Sequence, residues 1–267
     1  MRMAGGVLAA VIVLSGCAST TPKPFPQMAQ KPEPTPLNTS QEEATARTRA
    51  RVHTELAAGY FELRNMPVAL EEVKHAINAE PGYGPAYNVA ALIYAELRED
   101  RLAQENFERA LRIDPLDSDA NNNYGRFLCD RKREADAMKY FVAALKNPLY
   151  QTRENSYVNA GMCLRRSGDI AAAEDYFLRA LKVRPTQQQA LYHLADIGYA
   201  RGNYAQAKQY VIRLEQLTNP TAEMLWLMLR IERRLGDRNA IASYAQQLRS
   251  RFPDSREARA LLAGADE

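Results

Sequence analysis

Cysteine and histidine are the side chains with which this chain could bind a metal, attack an acyl group or form a disulfide. There are three of each: Cys17, Cys129 and Cys163, and His53, His75 and His193. No His/Cys set has the close pairwise spacing that a metal site requires. No glycine-rich phosphate loop or serine-nucleophile motif occurs. The acid pairs Glu42-Glu43 and Glu71-Glu72 read as solvated groups on polar helix faces. The expectation is therefore a binding module and not an enzyme, with no cofactor, no metal and no small-molecule substrate. The formal net charge is only +3 over 267 residues, and the basic residues are spread along the chain. Nucleic-acid binding has no support from such a distribution.

The elements that must position any binding residues are helices. In Glu154–Gln187, Tyr157, Ala160, Gly161 and Leu164 share one face of a first helix. Ser167-Gly168-Asp169 breaks the pattern, and Ala173, Phe177, Ala180 and Leu181 repeat it in a second helix that Pro185 ends. Small residues let the two backbones approach, and the aromatic and leucine side chains fill the flanks. One such hairpin cannot bury its outer apolar faces, so it needs neighbours of its own kind. They recur at about 50–83, 84–117, 118–151, 188–221 and 222–255. Prolines at 81, 115, 185 and 253 end four of the six on the same place. This period and residue code resemble tetratricopeptide repeats. The resemblance implies an all-α, right-handed superhelical solenoid over residues 41–267, and Glu257 to Ala263 reads as the start of a closing helix.

The amino terminus has a different character. Arg2 is followed by an apolar run, Val7 to Leu14, that is too short for a permanent bilayer span. Leu14-Ser15-Gly16-Cys17 resembles a bacterial lipobox. That resemblance implies a signal peptide over 1–16, cleavage before Cys17 and acylation of its thiol and new amino terminus. Several acyl chains give a stable anchor at about 0.8 kcal/mol per buried methylene. Ala18 in place of aspartate fits delivery to the outer membrane, with the solenoid facing the periplasm. Residues 17–40 then form a linker in which Pro22, Pro24, Pro26, Pro32, Pro34 and Pro36 favour an extended tether. At roughly 3.1 Å per residue such a tether reaches on the order of 60 Å.

Repeat phase assigns the rest. A solenoid of hairpins lines its concave groove with the first helix of each repeat. The expected groove residues are Asn88 and Leu92, then Asn122 and Arg126 with Tyr124, then Val158, Met162 and Arg165. Tyr192, Asp196, Tyr199, Trp226 and Arg230 follow. Aromatics, methionine and arginine suit a protein interface. Cys129 and Cys163 fall at similar heights on consecutive first helices. In an oxidising compartment they are expected to form a disulfide, the alternative being two separate buried thiols.

Asn121-Asn122-Asn123 is unusual within a first helical turn, because asparagine caps helices better than it continues them. It reads either as capping and inter-repeat bonding or as a polar recognition spot, with Asn122 directed to the groove and Asn123 to the neighbour. The stretch Asn121–Cys129, with Cys163 in the next repeat and a lipobox in front, resembles the PilF/PilW family of type IV pilus biogenesis and stability lipoproteins. That resemblance implies a pilotin or assembly factor whose partner is the outer-membrane pilus secretin. The rival reading is a periplasmic adaptor for cell-wall enzymes or outer-membrane protein assembly.

Overall fold

A computed structural model describes residues 39–264. The expected signal peptide, the acylated Cys17 and nearly all of the proline-rich linker lie outside them. The described residues form thirteen helices and no strand. Twelve pair as consecutive hairpins: α1 (Thr39–Glu62) with α2 (Met66–Ala79), α3 (Gly84–Glu96) with α4 (Asp100–Ile113), and α5 (Ser118–Asp130) with α6 (Glu134–Leu145). The series continues with α7 (Arg153–Arg166) and α8 (Ile170–Val183), α9 (Gln188–Ala200) and α10 (Tyr204–Glu215), and α11 (Ala222–Leu235) and α12 (Arg238–Arg251). A short α13 (Arg256–Leu262) packs on α11 and α12 and closes that end of the stack.

Small residues set the closeness of each hairpin. Ala69, Ala103, Ala137, Ala173 and Ala207 are fully buried on the second helices. Phe107, Phe141 and Phe177 are likewise buried, each removal from water contributing about 2–3 kcal/mol. A Cβ on Gly125 would meet the Phe141 ring at 2.8 Å, and one on Gly161 would meet the Phe177 ring at 2.7 Å. The last repeats solve the same problem with bulk. Leu214, Leu225, Leu229 and Leu248 form one cluster with Trp226 and Met228, which is why their small-residue code reads loosely.

The turn inside each hairpin places one residue in the left-handed region. In the last three hairpins it is Gly168, Gly202 and Gly236; in the first three it is Arg64, Arg98 and Lys132, with φ of 60°, 62° and 60°. Each turn is closed by a backbone bond over the helix end, such as Glu99 N–H to Tyr94 C=O at 2.9 Å. A side chain in this region costs about 1 kcal/mol relative to glycine.

α1 is longer than the other first helices, at 24 residues. Val52, Leu56 and Leu63 leave its outer face apolar and exposed. They line a shallow depression with Gly59 and Tyr60, on the α1 end of the stack.

Candidate partner-binding groove

The first helices α3, α5, α7, α9 and α11 stand side by side, and the side chains between them divide into a buried seam and an accessible surface. The seam holds the asparagines. Asn121 donates to the carbonyls of Pro115 and Asp117 at 3.0 and 2.8 Å, a local cap. Asn122 is buried, and its Oδ1 accepts from Ser156 Oγ and Asn159 Nδ2, both at 3.0 Å. Asn123 donates back to Asn88 Oδ1 at 3.3 Å. The run thus couples three consecutive repeats. Asn123 meets the neighbouring repeat as expected, though it is half-exposed and also borders a cavity, whereas Asn122, expected in the groove, fills the seam. Asn88 is buried in the same way.

Three further groove assignments need correction. Tyr124 is 2% exposed, between the Phe107 ring at 5.1 Å and the Tyr140 ring at 4.5 Å, with its hydroxyl donating to Glu108 at 3.2 Å. Burial first, then the charge of nearby groups, raises its pKa. Val158 is 1% exposed within the α7–α9 core, and Trp226 is buried in the last cluster. A helix advances 100° per residue, so a small error in helical phase turns a groove side chain into a seam one.

The accessible surface retains Leu92, Arg126, Met162, Arg165 and Tyr192. Leu92 and Arg126 border one cavity together with Phe61, Arg98 and Phe127. Arg165 pairs with Asp196 and donates to His193 Nδ1 at 2.9 Å. A guanidinium only donates, so Nδ1 accepts and the neutral ring carries its proton on Nε2. Burial and then the Arg165 charge lower the His193 pKa to about 4, against a smaller opposing effect of Asp196. The His193 ring stacks on Phe177 at 4.8 Å and meets Tyr192 edge-on at 5.5 Å. Burial raises the Tyr192 pKa. Arg230 lies over the Tyr199 ring at 4.3 Å. This half of the groove is an aromatic surface with its charges largely matched.

Cys129 and Cys163 are bonded in the structure, with their Cα atoms 5.8 Å apart. The bond joins α5 to α7 in the seam that Asn122 occupies. Among the described residues no group of three or more His, Cys, Asp or Glu is placed to hold a metal, and no helix is long and apolar enough to cross a membrane.

Sequence reasoning missed Arg98, Phe127 and the outer stripe of α1. The stripe had a signal, since Val52, Leu56, Gly59 and Leu63 recur at i, i+4, i+7 and i+11. Arg98 had a weaker one, since it stands at the repeat place that Gly168, Gly202 and Gly236 occupy.

Helical hairpins stacked on this period, with alanine and glycine at the crossings, define a tetratricopeptide-repeat protein. The family model described as tetratricopeptide repeat matches residues 88–151 and 159–216. Among curated relatives, the type IV pilus assembly protein PilF of Pseudomonas aeruginosa is 29% identical over 222 residues, 83% of this chain and 87% of that protein. The solved structure of P. aeruginosa PilF superposes with a TM-score of 0.77 at 27% identity, over 82% of this chain and 99% of that one. The solved structure of PilW, described as a widely conserved type IV pilus biogenesis factor, gives 0.72 at 33% identity, over 80% of this chain and 98% of that one. The chain belongs to the PilF/PilW family of tetratricopeptide-repeat proteins.

Proposed function

We propose that this chain is a non-enzymatic type IV pilus assembly factor, anchored to the outer membrane through lipid on Cys17 and facing the periplasm. Its solenoid captures a segment of the pilus secretin and promotes the secretin's localisation, multimerisation or stability. The observation that carries this reading is the near full-length match to PilF and PilW, which spans the repeats and not one generic hairpin. The accessible mixture of Leu92, Arg126, Met162, Arg165 and Tyr192 supports a protein partner. Anchoring by acyl chains would keep the captured segment near the membrane without a spanning helix.

The test is the state of the secretin in cells lacking the protein. Secretin multimers and surface pili are expected to fall together, and mature protein isolated from solubilised envelopes is expected to carry secretin with it. Normal multimers in such cells would overturn the reading and favour the cell-wall adaptor.

A further inference from the structure

A cavity of about 530 Å3 opens between the carboxyl-terminal ends of α1, α3 and α5. Its lining is mostly polar, with Arg98, Arg126 and Arg131 contributing cations and the half-buried Phe61 and Leu92 a smaller apolar part, while Phe127 lies buried beneath Arg131. Its two carboxylates are already matched. Glu96 is paired by Arg64, and Asp130 by Arg166 at 3.2 Å. Arg131 is held by Asp100 through Nε at 3.1 Å and lies over the Phe127 ring at 4.6 Å. That leaves Arg98 and Arg126. Both are exposed, and among the described residues neither is in an ion pair, although Arg98 lies near enough to Asp100 to help, behind Arg131, in holding its pKa down.

Arg98 sits at φ 62°, the angle that Arg64 and Lys132 share and that glycine takes in the last three hairpins, so a glycine there would keep the turn and remove only the side chain. What marks Arg98 is the cavity it borders beside Arg126. That cavity is concave and mostly polar, a shape that a flat lipid surface cannot enter but an extended chain can.

We propose that this cavity takes an acidic peptide segment of the partner protein, its carboxylates received by Arg98 and Arg126 and its apolar side chains by Phe61 and Leu92. The proposal rests on the reading of the solenoid as a module that captures a partner segment, and it names the chemistry of that segment. Arginine suits the role, since its planar fork meets a carboxylate with two parallel donors.

The test uses the mature full-length chain and a fluorescent eight-residue peptide alternating Glu and Phe, beside a counterpart with Gln for Glu. The Glu peptide is expected to bind at least tenfold more tightly than the Gln peptide. Arg98→Gly and Arg126→Ala are each expected to weaken the Glu peptide about tenfold and to leave the Gln peptide unchanged. Arg98→Gly is expected to do so with an unchanged or higher unfolding midpoint, which a merely structural role of Arg98 would not give. No binding, equal binding of the two peptides, or equal binding by the variants overturns the proposal. So does a loss, in the variants, of binding to phosphatidylglycerol vesicles with peptide binding intact. Failure here is distinct from failure of the pilus reading, which is judged by secretin multimers in cells lacking the protein altogether.

Discussion

Asn122 Oδ1 accepts a hydrogen bond from Ser156 Oγ at 3.0 Å, joining the first helix of one repeat to the first helix of the next. Ser156 is fully buried, so without Asn122 its hydroxyl is left with the Tyr150 side chain and no water. Asn122→Ala is therefore expected to cost about 1–3 kcal/mol of stability, read by chemical denaturation. Any loss of partner binding should track the unfolded fraction. Loss of binding with stability intact would return Asn122 to the recognition surface.

The bond between Cys129 and Cys163 crosses the same seam and closes a loop with a sequence separation of 34. In an oxidising compartment it is expected to be present, contributing roughly 3–4 kcal/mol through restriction of the unfolded chain. Thiol labelling decides the matter. A Cys17→Ala protein, denatured without reductant, should take up no label; two labels would mean that the pair is not bonded.

His193 gives the solenoid an acid limb. Its folded pKa is lowered to about 4 by burial and by Arg165, against about 6.5 when unfolded. A depressed histidine means that the unfolded chain binds more protons between these values, so stability rises with pH across that window. The contribution is fully present above about pH 6.5 and is lost as pH falls toward 4. It is on the order of 2 kcal/mol. His193→Gln should flatten the pH dependence of the denaturation midpoint over that range; an unaltered slope would show that another group carries it.

Cys17 is the proposed anchor. Changing Cys17 to Ala removes the acylated thiol and is expected to release the protein from membranes while its cooperative unfolding stays the same. Continued fractionation of Cys17→Ala with the outer membrane would show that something else holds it there.

Much of this was legible in the residues, for reasons that can be stated. Ala137 with Phe141, and Ala173 with Phe177, are buried partners whose sizes follow from how closely two helices cross, so packing writes them into every repeat. The cysteines were legible because helical phase places them at one height on neighbouring helices. The groove was harder. Asn122, Tyr124 and Val158 carry no mark that separates seam from surface, and only the stacking of whole repeats decides it. Arg98 was only half legible. Repeat phase sets it on the place that Gly168, Gly202 and Gly236 occupy, and only the coordinates show that it borders a cavity beside Arg126.

Glycines of identical sequence appearance should respond oppositely to the same substitution. Gly161 lies in the middle of α7, and a Cβ there would sit 2.7 and 2.9 Å from the Phe177 ring. That ring is itself fully buried and stacked on His193 at 4.8 Å, so it cannot retreat without opening the hairpin or disturbing the groove. Gly161→Ala is expected to cost about 1–3 kcal/mol by overpacking. Gly198 lies inside α9, where the nearest atom to an added Cβ is the methyl of Ala207 at 3.4 Å, an ordinary contact. There the helix gains alanine's preference and the unfolded chain loses freedom, so Gly198→Ala should be neutral or stabilising by up to about 1 kcal/mol. Chemical denaturation of the two single variants tests the pair. Equal destabilisation would show that these glycines serve something other than the room their neighbours leave. Opposite signs would show that the closeness of α7 to α8, set by the Phe177 ring, is what the glycine of that repeat is for.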